Sequence, residues 1–388
     1  MMAEQRTAAS NSSKLKNRKG GMENLLPLNR RRLLQAAGAL IATMPWRAGA
    51  QQQQQPIAIA DMHSHWGMLR RRISDSDPAF ADELRSQRVA LVAWKMIADA
   101  RWTRSTASGI EQAGEPAPGE LAAFFDSSFD RMRAYLETHK LKMVLTPTDV
   151  DACLAGEPGV VLASEGADFL EGRIEALDAV VDKGLRHLQL VHYIRTPVGD
   201  FQTKPPVHNG LSAMGKQLVR ACNAKGVLVD LAHCMGPAVE QALEISRAPM
   251  VWSHGWVDGD GGHWQDPYGY RRRRLSLALA RRIAAQGGVI GLWGLGLSHP
   301  SLDYGLIRRD TKAYARELVK MVDQIGPDHV AFGSDIEGVE PNWVLNSYGD
   351  LRTVIEHLQA MKLDAAVIDK LAHGNYARVL KRALDPAG

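Results

Sequence analysis

Five short apolar runs in this chain each end on a side chain that can bind a metal or move a proton. They are IAIADMH ending at His63, VVLASE at Glu165, VLVDLAH at His233, MVWSH at His254 and HVAFGSD at Asp335. His63-Ser64-His65 leaves the first run with two imidazoles on one face, because alternate residues of an extended strand point the same way. Such a pair grips one divalent ion from one side. Glu165 adds a carboxylate able to bridge two ions, and His233 and His254 add nitrogens for a second one. Up to five ligands then come from four strands. Open positions remain for water, which a divalent ion acidifies to a pKa of about 7. Asp335 is the candidate to take the proton from that water and pass it to a leaving group; a helix N-cap is the plainer use of an Asp after a strand. His192, closing HLQLVH, is either a donor to the oxyanion of a tetrahedral intermediate or a buried structural histidine.

Runs of Val, Ile, Leu and Ala without polar alternation suit strands buried on both faces, as in a parallel sheet covered by helices. Chemistry in such a sheet sits at the C-terminal strand ends. Extended runs fall at 57–63, 88–96, 160–165, 187–192, 227–233, 249–254, 288–293 and 330–335. Eight is the number that closes a TIM-type (β/α)8 barrel. Helical periodicity alternates with them at 118–139, 171–183, 211–225, 236–246, 275–286, 311–325 and 348–360, the pattern of repeated βα units. Segment 211–225 puts Leu211, Met214, Leu218 and Cys222 on one face, and Gly226 ends it. LKMVLTP at 141–147 does not fit the count and reads as a helix end or a short extra strand. The stretch 101–119 reads as a surface insertion. Residues 255–274 follow the His254 strand, so this loop is a candidate lid or substrate wall over the barrel mouth.

Hydrophobic residues at 45% of 388 suffice for a full core, and aromatics at 6% make that core mostly aliphatic. The net charge of +4 is misleading. Residues 1–50 hold nine Lys and Arg against two Asp and Glu, which leaves 38 against 41 in the remainder. The slightly acidic body removes the main support for nucleic-acid binding. Asn29-Arg30-Arg31-Arg32-Leu33-Leu34, the apolar LLQAAGALIATMP and Ala48-Gly49-Ala50 have the form of a twin-arginine export signal over 1–50. The expected locale is therefore periplasmic or secreted, with no stable membrane anchor, since the apolar run is well short of the roughly 20 residues a span needs. Residues 51–388 form one expected barrel domain. Cys153, Cys222 and Cys234 are odd in number and imply no disulfide framework; Cys234 reads as an apolar filler facing away from His233.

From about residue 57 to 383 the chain resembles the membrane (renal) dipeptidases, dinuclear zinc peptidases with a TIM-type barrel. The resemblance rests on GVLVDLAH at 226–233, APMVWSH at 248–254 and HVAFGSDIEG at 329–338. LSAMGKQLVRACNAKG, AAQGGVIGL and GNYARVL at 374–380 follow in the same order. It implies that His63 and Glu165 bind one zinc ion, that Glu165 bridges, and that His233 and His254 bind the other. It implies Asp335 as the proton-handling aspartate and His192 as the histidine near the scissile carbonyl. An arginine that holds the substrate carboxylate aligns with Arg273, although any of Arg271 to Arg274 could serve. One departure stands out: the family pattern in the first strand is H-x-D, and position 65 here is His. Imidazole replaces a carboxylate as a zinc ligand but brings no negative charge.

The leading expectation is a metallo-dipeptidase acting on a dipeptide or similar small carboxylate-bearing molecule through metal-bound hydroxide, with two divalent ions, zinc first. A homodimer is an open option. The alternatives are another amidohydrolase-type enzyme acting on a lactone, ester or amide, and an exported metal- or ligand-binding protein without turnover.

Overall fold

The computed structural model describes residues 55–69, 72–106, 109–258, 270–295, 310–338 and 344–386. The expected export signal over 1–50 lies outside them. All eight expected strands form: β1 (Ile59–Ser64), β2 (Val89–Ile97), β3 (Gly159–Glu165), β4 (Leu185–Gln189), β5 (Leu228–Asp230), β6 (Val251–Gly255), β7 (Val289–Trp293) and β8 (Val330–Gly333). Each pairs in parallel with its neighbours in chain order, and β1 pairs with β8. The sheet is therefore a closed parallel barrel. The β2–β3 seam runs in register from Leu91 opposite Gly159 to Ile97 opposite Glu165. All residues of β1, β2 and β3 are buried, as their largely apolar patterns without polar alternation suggest. The interior is tight enough that a Cβ on Gly333 would lie 1.8 Å from the Ser253 carbonyl oxygen, so only glycine passes there.

The seven expected helices form with small shifts of their ends, from Glu120–Thr138 to Tyr348–Ala360. Leu218 and Cys222 are buried and Met214 packs at the edge of the core, as the helical spacing of 211–225 implied. Three helical segments were not anticipated: Ala79–Ser86, Pro147–Ala155 and the stretch ending in Asn375–Leu384. The run at 141–147 splits into a two-residue strand, Lys142–Met143, added to β3, and a helix start. Thr146 caps the latter reciprocally with Asp149, and Pro147 sits in its first turn. Asn375–Leu384 buries Tyr376, Val379, Leu380 and Ala383 against strand residues such as Ala60, Leu91 and Ala331.

The core is mostly aliphatic as expected, and some of its aromatics pack as a cluster. Phe80 lies 5.2 Å from Trp66 and 4.8 Å from Trp94, ring centre to ring centre. The stretch 101–119 is more than a surface insertion. It holds an antiparallel hairpin, Thr103–Thr106 with Gly109–Gln112, and Thr103 and Ile110 line the cavity above the site residues. Of the candidate lid, Val257–Asp258 pairs with Leu275–Ser276, and 259–269 lie outside the described residues. Three strands stop earlier than the apolar runs suggest. β4 ends at Gln189, β5 at Asp230 and β8 at Gly333, so His192, His233 and Asp335 sit beyond the strand ends. The cause at β5 is Asp230, whose carboxylate accepts from the Ala232 and Ser253 amides and turns the chain. Cys153, Cys222 and Cys234 are buried and unpaired.

Candidate active site

All the ligand candidates meet at the C-terminal rim of the barrel around Glu165, which is 3% exposed. Its Oε2 lies 3.0 Å from His65 Nε2 and 3.4 Å from His63 Nε2. Its Oε1 lies 3.1 Å from His233 Nε2 and 3.5 Å from the Nε2 atoms of both His254 and His192. One carboxylate thus faces two groups of imidazoles, one with each oxygen. Within each group the nitrogens crowd together: His63 and His65 Nε2 are 3.0 Å apart, and His233 and His254 Nε2 are 3.2 Å apart. His65, the departure from H-x-D, points into the cluster rather than away from it.

The outer nitrogens of four rings are held from behind, which aims Nε2 inward. His63 Nδ1 and His254 Nδ1 lie 2.9 and 3.1 Å from Ser253 Oγ. His65 Nδ1 donates to the Lys95 carbonyl oxygen at 2.8 Å, and His192 Nδ1 donates to Asp99 Oδ1 at 2.7 Å. Asp335 is no helix cap. Its Oδ2 accepts from Trp293 Nε1 at 2.7 Å, and its Oδ1 is buried without a hydrogen-bond partner, 3.3 Å from His65 Nε2. Asp335 and His233 also hold left-handed backbone angles, φ 55° and 68°, a strain that accompanies functional positions.

The electrostatics favour ligand forms for most of these groups. Burial works against a charge on Glu165, yet the imidazoles of His192 and His63 hold its carboxyl well below the usual range. Burial and the nearby Arg273 charge push His233 well down. Burial and then Lys95 lower His63 to about 4. His65 goes the other way: burial opposes its charge, but the carboxylates of Asp335 and Glu165 prevail and raise it to about 10. Three sets of these side chains have ligand atoms close enough for one ion: His63, Glu165 and His254; His63, His65 and Asp335; Glu165, His192 and His233. The convergent nitrogens, the divided carboxylate and the unpartnered Asp335 oxygen suit a pair of divalent cations.

Among the described side chains of the four successive arginines, Arg273 lies at the site, 1% exposed. It donates to Tyr193 Oη at 3.1 Å and to Gln202 Oε1 at 3.3 Å, its Nη2 lies 3.0 Å from His254 Nε2, and its guanidinium sits 4.8 Å from the Trp293 ring centre. Arg272 is exposed and donates to the Thr203 carbonyl. Sequence reasoning missed Asp99, Tyr193, Gln202 and Trp293. It also missed a buried layer beneath the site, in which Lys95 pairs with Asp230 and Asp61 accepts from the Ser334 amide and hydroxyl. A signal for that layer was present, since Asp61 and Asp230 interrupt otherwise apolar runs.

The membrane dipeptidase family, peptidase family M19, matches residues 84–387. That span begins after β1, so the pair His63 and His65 lies outside it. An uncharacterised protein in the pqqA 5′ region of Klebsiella pneumoniae is 28% identical over 252 residues, 62% of this chain and 89% of that protein. The dipeptidase tcpJ of Claviceps purpurea is 27% identical over 241 residues, 60% of this chain and 53% of tcpJ, so the match spans about half that relative's length. Among solved structures, a metallopeptidase from Rhodobacter sphaeroides, liganded with a phosphinate mimic of L-Ala-D-Ala, superposes with a TM-score of 0.64 at 20% identity, covering 84% of this chain and 99% of that one. The probable dipeptidase PvdM from Pseudomonas aeruginosa gives 0.65 at 17% identity, covering 92% and 100%. These two likenesses are of fold. With the family matched over most of its length, the chain belongs to the membrane dipeptidase family and is a hydrolase of the metallo-dipeptidase class.

Proposed function

We propose that this chain is a zinc-dependent enzyme that hydrolyses the amide bond of a dipeptide or similar small molecule bearing a free carboxylate. The observation that carries the reading is the division of Glu165, with Oε2 3.0 Å from His65 and Oε1 3.1 Å from His233. His63, His65 and Glu165 would hold one ion, and Glu165, His233 and His254 the other. Bound there, two divalent ions would supply Lewis acidity and a water of pKa about 7.

The remaining steps fall to the chain's own groups. Arg273, kept in place by Tyr193 and Gln202, pairs with the substrate carboxylate and so sets which amide lies over Glu165. His192 presents Nε2–H to the carbonyl oxygen as it gains negative charge. Asp99 favours this role: burial opposes a charge on His192, but the Asp99 and Glu165 carboxylates raise its pKa, which favours a proton on the ring. Asp335 Oδ1 accepts the proton of the attacking water and delivers it to the departing amine as the C–N bond breaks, while Trp293 holds Oδ2.

The test is metal content per chain on protein purified without chelator, run beside hydrolysis of a panel of L-L and L-D dipeptides. Two zinc ions per chain and turnover that chelator removes and zinc restores are the expected results. One ion or none, without turnover, overturns the reading. Turnover of esters or lactones but of no dipeptide would select a second reading, a hydrolase of other amides, esters or lactones. Export by the twin-arginine route belongs to the same proposal. A reporter fused to residues 1–50 should reach the periplasm, and changing Arg30, Arg31 and Arg32 to Lys should stop it.

A further inference from the structure

A cavity of about 420 Å³ opens on the far side of His65, larger than the 130 Å³ cavity that holds Glu165, His192, Arg273 and Asp335. The two share Leu69, Ile97 and Ala100, so the larger lies directly beside the reaction centre. Its volume is in the range that holds a sizeable organic group. One part of its wall is apolar, built from Met68, Ile73, Trp94, Met96, Phe124 and Met132, and the rest is an exposed polar rim of Arg72, Asp75, Arg101 and Arg131. The polar ends of its aromatic residues are engaged elsewhere: Trp94 Nε1 donates to the Trp66 carbonyl, and Tyr135 Oη donates to the Asp77 carbonyl.

The axis of Glu165 says which part of a substrate would enter it. Oε1 faces His254, beyond which stands Arg273, the group for the carboxylate end. Oε2 faces His65, beyond which lies the cavity. An amide held over Glu165 with its carboxylate on Arg273 therefore directs its acyl half past His65. The charges there disfavour an ammonium group. Arg72, Arg101 and Arg131 line the cavity, and Asp75, the lining acid, lies 3.8 Å from Arg131. Histidine at position 65 carries no negative charge in any protonation state. A free amino terminus placed there would meet more cations than anions, since Asp75, the one acid among the described lining residues, already faces Arg131, and like charges repel.

We propose that this cavity is the acyl-side subsite and that the preferred substrate is an amino acid whose nitrogen carries a bulky apolar acyl group with no free ammonium. The proposal rests on the amide-hydrolase reading above and narrows it.

The experiment compares kcat/KM of the zinc-loaded enzyme on N-octanoyl-alanine, N-acetyl-alanine and Leu-Ala, and measures octanoate binding by calorimetry. Ser128 lines the cavity from a partly exposed helix position, so Ser128→Phe fills it at little risk to folding. The octanoyl substrate should exceed the other two by at least about tenfold. Ser128→Phe should abolish that advantage and saturable octanoate binding while leaving N-acetyl-alanine hydrolysis within about twofold. Preference for Leu-Ala, or an octanoyl-to-acetyl ratio that Ser128→Phe does not change, overturns the proposal. If no amide is cleaved but octanoate binds and Ser128→Phe removes that binding, the amide-hydrolase reading falls and the apolar subsite stands. If nothing is cleaved and octanoate does not bind, both fall.

Discussion

Two layers of the barrel are equally buried and equally rich in polar groups, yet they are built to opposite ends. In the lower layer the charges answer one another: Lys95 pairs with Asp230, Asp230 takes the Ser253 amide, and Asp61 takes the amide and hydroxyl of Ser334. In the upper layer five imidazole Nε2 atoms face Glu165 at 3.0–3.5 Å, and an oxygen of Asp335 is left without a hydrogen-bond partner. Burial penalises an unpaired polar group wherever it occurs. The lower layer meets that penalty from within the protein, and the upper layer is arranged for cations. The two are linked, because Ser253 and the Lys95 carbonyl fix the outer nitrogens of the histidines above them.

The sharpest way to break this contrast is Glu165→Gln. It removes the charge shared by both groups of histidines and should lower turnover more than about 10³-fold with loss of metal from both positions; two ions still bound, by elemental analysis, would refute the division. Asp335→Asn should lower kcat by roughly 10²- to 10⁴-fold with both ions retained. Loss of one ion instead would make Asp335 a ligand alongside His63 and His65. In the lower layer, Lys95→Met strands Asp230 and should cost about 3–5 kcal/mol in denaturant unfolding. A loss below about 1 kcal/mol would mean the pair is not needed for stability.

Smaller effects sharpen the picture. Asp99→Asn leaves His192 in place without its anionic partner. It should lower kcat/KM by about tenfold with metal content unchanged, and unaltered kinetics would remove Asp99 from the account. Burial raises the thiols of Cys153 and Cys222 to about 12, so at pH 8 they are almost wholly protonated. Both should be silent to a thiol reagent in folded protein and titrate on unfolding; rapid reaction in the folded state would contradict their burial.

Much of the upper layer was legible from residue order, because a ligand at the end of an apolar run is a local pattern. His63, Glu165, His233, His254 and Asp335 could each be marked from their own strand. The chain as a string left open whether His65 joins the cluster and which of Arg271 to Arg274 serves it. Packing answers the first, since Nε2 of His65 lies 3.0 Å from Glu165; on the second, it buries Arg273 beside Tyr193 and leaves Arg272 exposed. Asp99 was out of reach for a different reason. It sits 93 residues before His192, in a short 3-10 turn between β2 and the stretch read as a surface insertion, and no periodicity links the two.

By itself the sequence determined the alternation of strands and helices, the eight-strand count and the identities of the groups at the strand ends. Those are set by residue periods and by the chemistry of single side chains, which need no distant partner. Only the tertiary structure decided that the two oxygens of Glu165 face different histidines, that Asp335 is anchored by Trp293, and that an apolar cavity lies behind His65. Ring closure brings residues from opposite ends of the chain to within a hydrogen bond, and which atoms then meet depends on strand register and loop path.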